Sequence, residues 1–167
     1  AMPAAREAGL VTNVISAVES GEVVAVVSDA GMPGISDPGA LLVREAIASG
    51  VTVDVLPGAS AVPVAVVASC VPNSRFTFFG FLPRNAKERR RILETAMCRE
   101  ESAVFFEAPG RVVALVRTVA DIDPERSVGV GRELTKLHEE RVGHVEGFDR
   151  GDILRYLRHE MGHVVNY

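Results

Sequence analysis

An α/β fold built on a parallel sheet is predicted for this chain, on three observations. Runs rich in β-branched residues alternate with segments of helical periodicity, the order that helical crossovers produce. The run at 23–28, VVAVVS, is apolar at nearly every position, which suits a strand buried on both faces. Loops rich in Gly and Pro follow two such runs, at 29–39 and 57–58, where open α/β sheets bind their ligands.

Leu10, Val14, Ile15 and Val18 lie at helical spacing and predict a helix over 10–20, with Gly21 as its C-cap. After the strand at 23–28 and its loop, 40–49 reads as a helix closed by Gly50. Residues 51–56 form a second predicted strand, broken by Pro57-Gly58. A helix of small residues follows at 59–68, with Pro63 near its start. CVPNSR, 70–75, reads as a linker between a partial first domain, 1–69, and a second domain, 76–167. In the second, FTFFG at 76–80 predicts an aromatic strand whose Phe76 and Phe78 face the core. A helix with a very basic first half follows at 86–99. A strand at 102–107, a helix at 111–119, strands at 127–132 and 138–146 and a helix at 149–159 complete the pattern.

The chain has 167 residues, 47% of them hydrophobic, enough for a real core in one ordinary domain or two small ones. No unbroken apolar run approaches the length of a membrane span, and no basic stretch followed by an apolar one opens the chain. Two cysteines, Cys70 and Cys98, make no disulfide framework, so a reducing, cytoplasmic setting is expected. The formal charge of −4 argues against a generally basic nucleic-acid binder.

The loop DAGMPGISDPG carries the most chemistry. Glycine lets backbone approach a ligand closely, and Asp29 stands where a strand emerges, able to accept from a ligand hydroxyl or amine. The plain alternative is a tight loop whose Asp29 and Asp37 cap helices. LPGASA offers a second close-approach turn at a helix start.

Five segments, VVSDAGMPGISDPG, LPGASA, FTFFGFLPR, FFEAPGR and GRELTKLHEE, stand in the order and spacing of the bacterial ribosomal RNA small subunit methyltransferase I family, part of the tetrapyrrole-methylase superfamily. The chain resembles that family over about residues 10–150. The resemblance implies a tetrapyrrole-methylase-like fold, two α/β domains with the cofactor cleft between them. It implies S-adenosylmethionine as cofactor and methylation of the ribose 2′-oxygen of a cytidine in 16S ribosomal RNA, within the small ribosomal subunit. It also implies a homodimer. By the same resemblance Asp29, Ala30 and Gly31 fall on the acidic loop beside the cofactor. Pro57, Gly58, Ala59 and Ser60 fall on the Pro-Gly loop, and Phe81 on the segment that leads from the cleft to the second domain. The opening strand-loop of the family, T-P-I-G-N-like, and its E-D-T-R-like motif are absent, so the first domain is expected to be incomplete and this chain alone to bind the cofactor weakly or not at all.

Methyl transfer to a ribose hydroxyl is an in-line displacement that gains from a base. Glu107, Glu133 and Glu139 are the candidates in the family motifs, with Arg111 and Lys136 to hold phosphate or ease loss of the proton. A structural salt bridge serves equally for each. Arg84, Lys87, Arg89, Arg90 and Arg91 put five positive charges within eight positions, a local reversal of the net charge. A phosphate-contacting patch for RNA is the functional reading, and a solvated helix face beside Glu88 and Glu94 the plain one.

Three rivals stand beside this reading. One is a methylase of a tetrapyrrole (corrinoid) precursor. Another is a catalytically inactive, truncated RNA-binding or dimerisation module. The third rests on His159-Glu160-Met161-Gly162-His163, a literal H-E-x-x-H, which lacks a third zinc ligand downstream, so no metal site is assigned.

Overall fold

A computed structural model of the chain describes residues 4–28, 31–36, 39–69 and 75–142. The chain divides into two compact units, Ala1–Ser60 and Ala61–Tyr167.

The first unit holds helix α1, Ala4–Glu19, and helix α2, Ala40–Ala48. Both stop for the same reason. Gly21 (φ 98°) and Gly50 (φ 75°) take a left-handed conformation that a Cβ would strain. Paired hydrogen bonds then close each end: Glu22 N–H to the Ala17 carbonyl and Gly21 N–H to Val18, and Val51 N–H to Ala46 and Gly50 N–H to Ile47. Val11, Leu42 and Ala46 are buried and form the small core of this unit.

The two strands expected here are not formed. Residues 23–28 and 51–56 run without a ladder partner among the described residues. Val23 is fully exposed, Val27 is 85% exposed and Leu56 80% exposed. An apolar β-branched run becomes a buried strand only where neighbours supply hydrogen bonds and cover both faces.

The second unit opens with α3, Ala61–Ala68, not within the first domain as the linker at 70–75 suggested. Pro63 is accommodated because it falls in the first helical turn, where its missing N–H costs nothing. The helix end packs tightly on the approach to the later hairpin. A Cβ added at Gly129 would lie 2.8 Å from the Cβ of Ser69.

Strand β1, Phe76–Phe81, then helix α4, Ala86–Met97, then strand β2, Ser102–Phe106, form one crossover unit. β1 and β2 are parallel, with Phe76 opposite Ser102 and Phe78 opposite Val104. The parallel pairing thus lies in the second unit rather than the first. Phe76, expected in the core, is 42% exposed at the strand's start. Helix α5, Pro109–Ile122, begins ahead of the expected residue 111 because Pro109 and Gly110 enter its first turn. Leu82, Leu93 and Val119 form the core, wrapped by Ile92, Phe105, Leu115 and their neighbours. Val116 and Val142 extend it under the hairpin.

That hairpin is β3, Val130–Arg132, and β4, Glu140–Val142, antiparallel and only three pairs long. The expected strand at 127–132 is shorter at its start, where 127–129 have no ladder partner among the described residues, and ends at Arg132 because Glu133 (φ 48°) and Thr135 (φ 67°) turn the chain at once. The segment expected at 138–146 is seen as far as Val142; the helix expected at 149–159 and the HEMGH sequence lie outside the described residues.

Candidate functional site

In the first unit the two Gly-rich loops meet. A Cβ at Gly31 (φ 83°) would lie 3.3 Å from the carbonyl oxygen of Ala59, and one at Gly58 would lie 3.4 Å from Met32 Cγ. Ser28 steadies the turn by donating its hydroxyl to the Gly31 carbonyl at 2.8 Å. Pro57, Gly58 and Ala59 are exposed beside it, and Ser60 is half-buried at the start of α3. Gly31 and the Ala59 carbonyl thus approach closely through backbone, where the positive φ of Gly31 and an added Cβ would both be strained. Asp29 and Ala30 lie outside the described residues. Backbone carbonyls and close-approach glycines fit the sulfonium and ribose of S-adenosylmethionine.

In the second unit the carboxyl ends of β1 and β2 carry Phe81 and Glu107. Phe81 is 58% exposed. The Glu107 side chain is only 4% exposed and pairs with Arg111 one helical turn on, itself 31% exposed. Glu107 Oε1 also accepts the Ala108 N–H at 2.8 Å, at the mouth of α5, where the helix dipole favours an anion. Its Oε2, like Arg111 Nε, is buried with no hydrogen bond from any described residue.

This pair carries a stability prediction. Arg111→Met leaves the Glu107 carboxylate buried with one backbone donor, and is expected to cost about 2–4 kcal/mol, less than a fully buried pair because Arg111 reaches solvent. Glu107→Gln/Arg111→Met removes both charges and is expected to recover most of that loss in urea unfolding. A double variant no more stable than Arg111→Met would show that the pair is not the source.

The loop between β3 and β4 holds the other candidates as separate pairs. Lys136 Nζ lies 3.2 Å from Glu133 Oε2, both side chains largely exposed. Glu139 accepts the Thr135 N–H at 2.6 Å and is paired with Arg141. These contacts, the Thr135 N–H foremost, hold the Glu139 carboxyl below its ordinary value. Arg132 and Glu140, opposite each other on the hairpin, are joined at 2.8 Å.

The basic segment forms the start of α4. Asn85 caps it, accepting the Lys87 and Glu88 N–H groups at 3.0 and 3.1 Å. Arg90 is committed to Glu94 at 2.8 Å, one turn on. Arg89 is half-buried. Arg84, Lys87 and Arg91 are exposed, and their side chains make no ion pair among the described residues.

Two features escaped the sequence reading. Arg126 donates to the carbonyls of Arg99 and Glu101 at 3.3 and 3.2 Å, pinning the start of β2; no local pattern announces so long-range a contact. Gly80 (φ 65°) breaks the register of β1, which a glycine inside a strand pattern could have signalled.

Beside Arg126, the Glu101 carboxylate accepts from the Thr77 hydroxyl and from Arg99 Nη1, the latter at 2.9 Å. The Thr77 bond, then the Arg99 bond, hold its carboxyl below the ordinary carboxylate range. A depressed carboxyl contributes stability above its unfolded value, about 4.3, and loses it as pH falls through the folded one. Thr77→Val is therefore expected to destabilise at pH 7 and to cost less in acid, at a pH below the folded value. Equal differences at both pH values, in urea unfolding, would overturn this.

Residues 4–147 match the family Tetrapyrrole (Corrin/Porphyrin) Methylases. The chain is 42% identical to a Thermotoga maritima protein named ribosomal RNA small subunit methyltransferase I, over 89% of this chain and 64% of that protein. Proteins of the same name from Bacillus subtilis and Mycobacterium bovis are 43% and 45% identical, over 77% and 81% of this chain and 44% and 48% of theirs. The chain thus matches less than two thirds of the length of these relatives.

Proposed function

Because this chain belongs to the tetrapyrrole (corrin/porphyrin) methylase family, we propose that it serves an S-adenosylmethionine-dependent methyltransferase of small-subunit ribosomal RNA. The acceptor is the 2′-oxygen of a cytidine ribose in 16S RNA. The carrying observation is the exposed cationic segment Arg84, Lys87 and Arg91 at and just before the start of α4, which suits a polyanionic substrate such as RNA. The names of the relatives support the same substrate. Such a protein works in the cytoplasm, where the small subunit is found, and pairs as a homodimer.

Bound S-adenosylmethionine supplies an electrophilic methyl group. By the family resemblance Asp29, Ala30, Gly31 and the 57–60 loop would hold it, and among the described residues Gly31 and the 57–60 loop offer close backbone approach. What this chain must add is orientation of the ribose and a place for its proton. Glu107 is the proton acceptor. Its Oε1 is occupied and its Oε2, though buried, accepts no hydrogen bond from any described residue, whereas both oxygens of Glu139 are engaged and its basicity is lowered. Arg111 holds Glu107 in place. Glu133 and Lys136 pair across the hairpin loop and keep it in shape.

Transfer of radiolabelled methyl from S-adenosylmethionine to isolated small ribosomal subunits, set against a corrinoid precursor, tests the reading. Label in the corrinoid alone would overturn it. The uncovered segments at 23–28 and 51–56 favour a second reading, an RNA-binding module without turnover. RNA retention with no label in either substrate would select it.

The α4 face gives a further expectation. Arg84→Ala/Lys87→Ala/Arg91→Ala is expected to flatten the salt dependence of RNA binding by about two units of log K per log salt, roughly 0.7 per phosphate lost. Arg90→Ala is expected to change it less, since Arg90 already holds Glu94. Filter binding across a sodium chloride series reads both, and an unchanged slope in the triple variant would place the RNA elsewhere.

A further inference from the structure

We propose that the bulge at Gly80 turns Phe81 into a stacking platform for a nucleobase of single-stranded RNA. The proposal rests on the RNA reading above and deepens it, since the family resemblance ties Phe81 to the cofactor segment instead.

In an unbroken strand, alternate side chains share a face, so Phe81 would lie with Phe79. Phe79 stacks on Phe105, their ring centroids 5.0 Å apart. Phe81 does not join them. Between the pairs Phe78–Val104 and Phe81–Phe106, β1 advances by three residues and β2 by two. The extra residue is accommodated at Gly80, whose φ of 65° a side chain would resist. Phe81 is thereby rotated onto the face of Phe78. Both rings contact Phe106, Phe78 edge-on at 4.8 Å and Phe81 tilted at 5.5 Å. The result is an aromatic row whose outer ring, Phe81, is 58% exposed at the carboxyl end of a parallel pair.

An unbulged strand would bring Phe81 round to the face of Phe79 and Phe105, whereas the bulge sets it against Phe106 with more than half of its surface open. Three residues beyond Phe81 the exposed cations begin, at Arg84, Lys87 and Arg91. An exposed ring followed by unpaired cations matches what single-stranded RNA offers, a base to stack and phosphates to neutralise.

The chain contains no tryptophan, so Phe81→Trp places a single indole reporter on the platform. The expected result is quenching by a short cytidine-rich RNA strand, at least fivefold weaker with a strand of equal charge whose sugars carry no bases. Equal quenching by both strands would overturn the proposal, because charge alone would then account for binding. Quenching by S-adenosylhomocysteine but not by RNA would also overturn it, and return Phe81 to the cofactor. Gly80→Ala in the same background is expected to abolish the base-dependent part with the circular dichroism unchanged. Should that variant unfold, Phe81→Ser decides. It is expected to weaken RNA binding on the order of 10- to 100-fold with an unaltered salt slope. Unweakened binding, or a slope that falls as well, would overturn the platform. Base-dependent quenching without methyl transfer would sink the methyltransferase reading and leave the platform standing.

Discussion

Glu107→Gln is expected to lower methyl transfer to small ribosomal subunits by about 100- to 10,000-fold, the range a positioned base contributes. The side chain is 4% exposed and stands where β2 ends, with Oε2 free of any hydrogen bond from a described residue. The amide keeps the shape and an acceptor for Arg111 and the Ala108 N–H, but takes up no proton. RNA affinity should hardly move, whereas the unfolding midpoint falls because Arg111 loses its charged partner, so activity is compared at a temperature where parent and variant are both folded. Glu139→Gln is the control, expected within a few-fold of the parent, because Thr135 and Arg141 already use both carboxylate oxygens. Single-turnover methylation of both variants separates the roles. Glu107 fails as the base if its variant turns over normally, and also if Glu139→Gln shows the larger loss.

Leu93→Ala is expected to destabilise the second unit by about 2–5 kcal/mol, a large part of the roughly 5–15 kcal/mol by which a domain is stable. Leu93 has no exposed surface, and its neighbours in the core are Leu82, Val119 and the partly buried Phe105 and Leu115. These come from β1's continuation, β2 and α5, while Leu93 itself lies on α4, so no single element can shift to fill the space without disturbing another. Leu93→Met, which keeps the volume, should cost less than about 1.5 kcal/mol. Urea unfolding followed by circular dichroism measures both. A loss below 1 kcal/mol for the alanine variant would mean that the core collapses around the gap and that the four elements are not rigidly packed.

Much of the architecture was legible from local pattern. The helices were, because periodicity and terminal glycines act within a few residues. Gly21 and Gly50 close α1 and α2 by hydrogen bonds to the turn just before them. The Asn85 cap and the Arg90–Glu94 pair lie within four positions in the sequence. The order of the α4 crossover unit was legible too, since a basic amphipathic helix between two aromatic strands has few other uses. The five motifs pointed to the family, and the match over residues 4–147 bears that out.

Tertiary structure alone decided the rest. VVAVVS at 23–28 has every local mark of a buried strand, yet burial depends on neighbours that a strand's own residues do not encode, and Val23 stands fully in solvent. α3 joined the second unit because Ser69 packs on Gly129, sixty residues away. Glu107 and Arg111 could be matched by spacing, but whether the carboxylate was buried, and which oxygen remained free, depended on how α5 lay against β2. The face on which Phe81 emerged was set by a register shift against a strand more than twenty residues further along. Helix-forming forces act along the chain and are written in short stretches of it. Strand pairing, burial and side-chain direction are set by distant segments, so they are determined only when those segments meet.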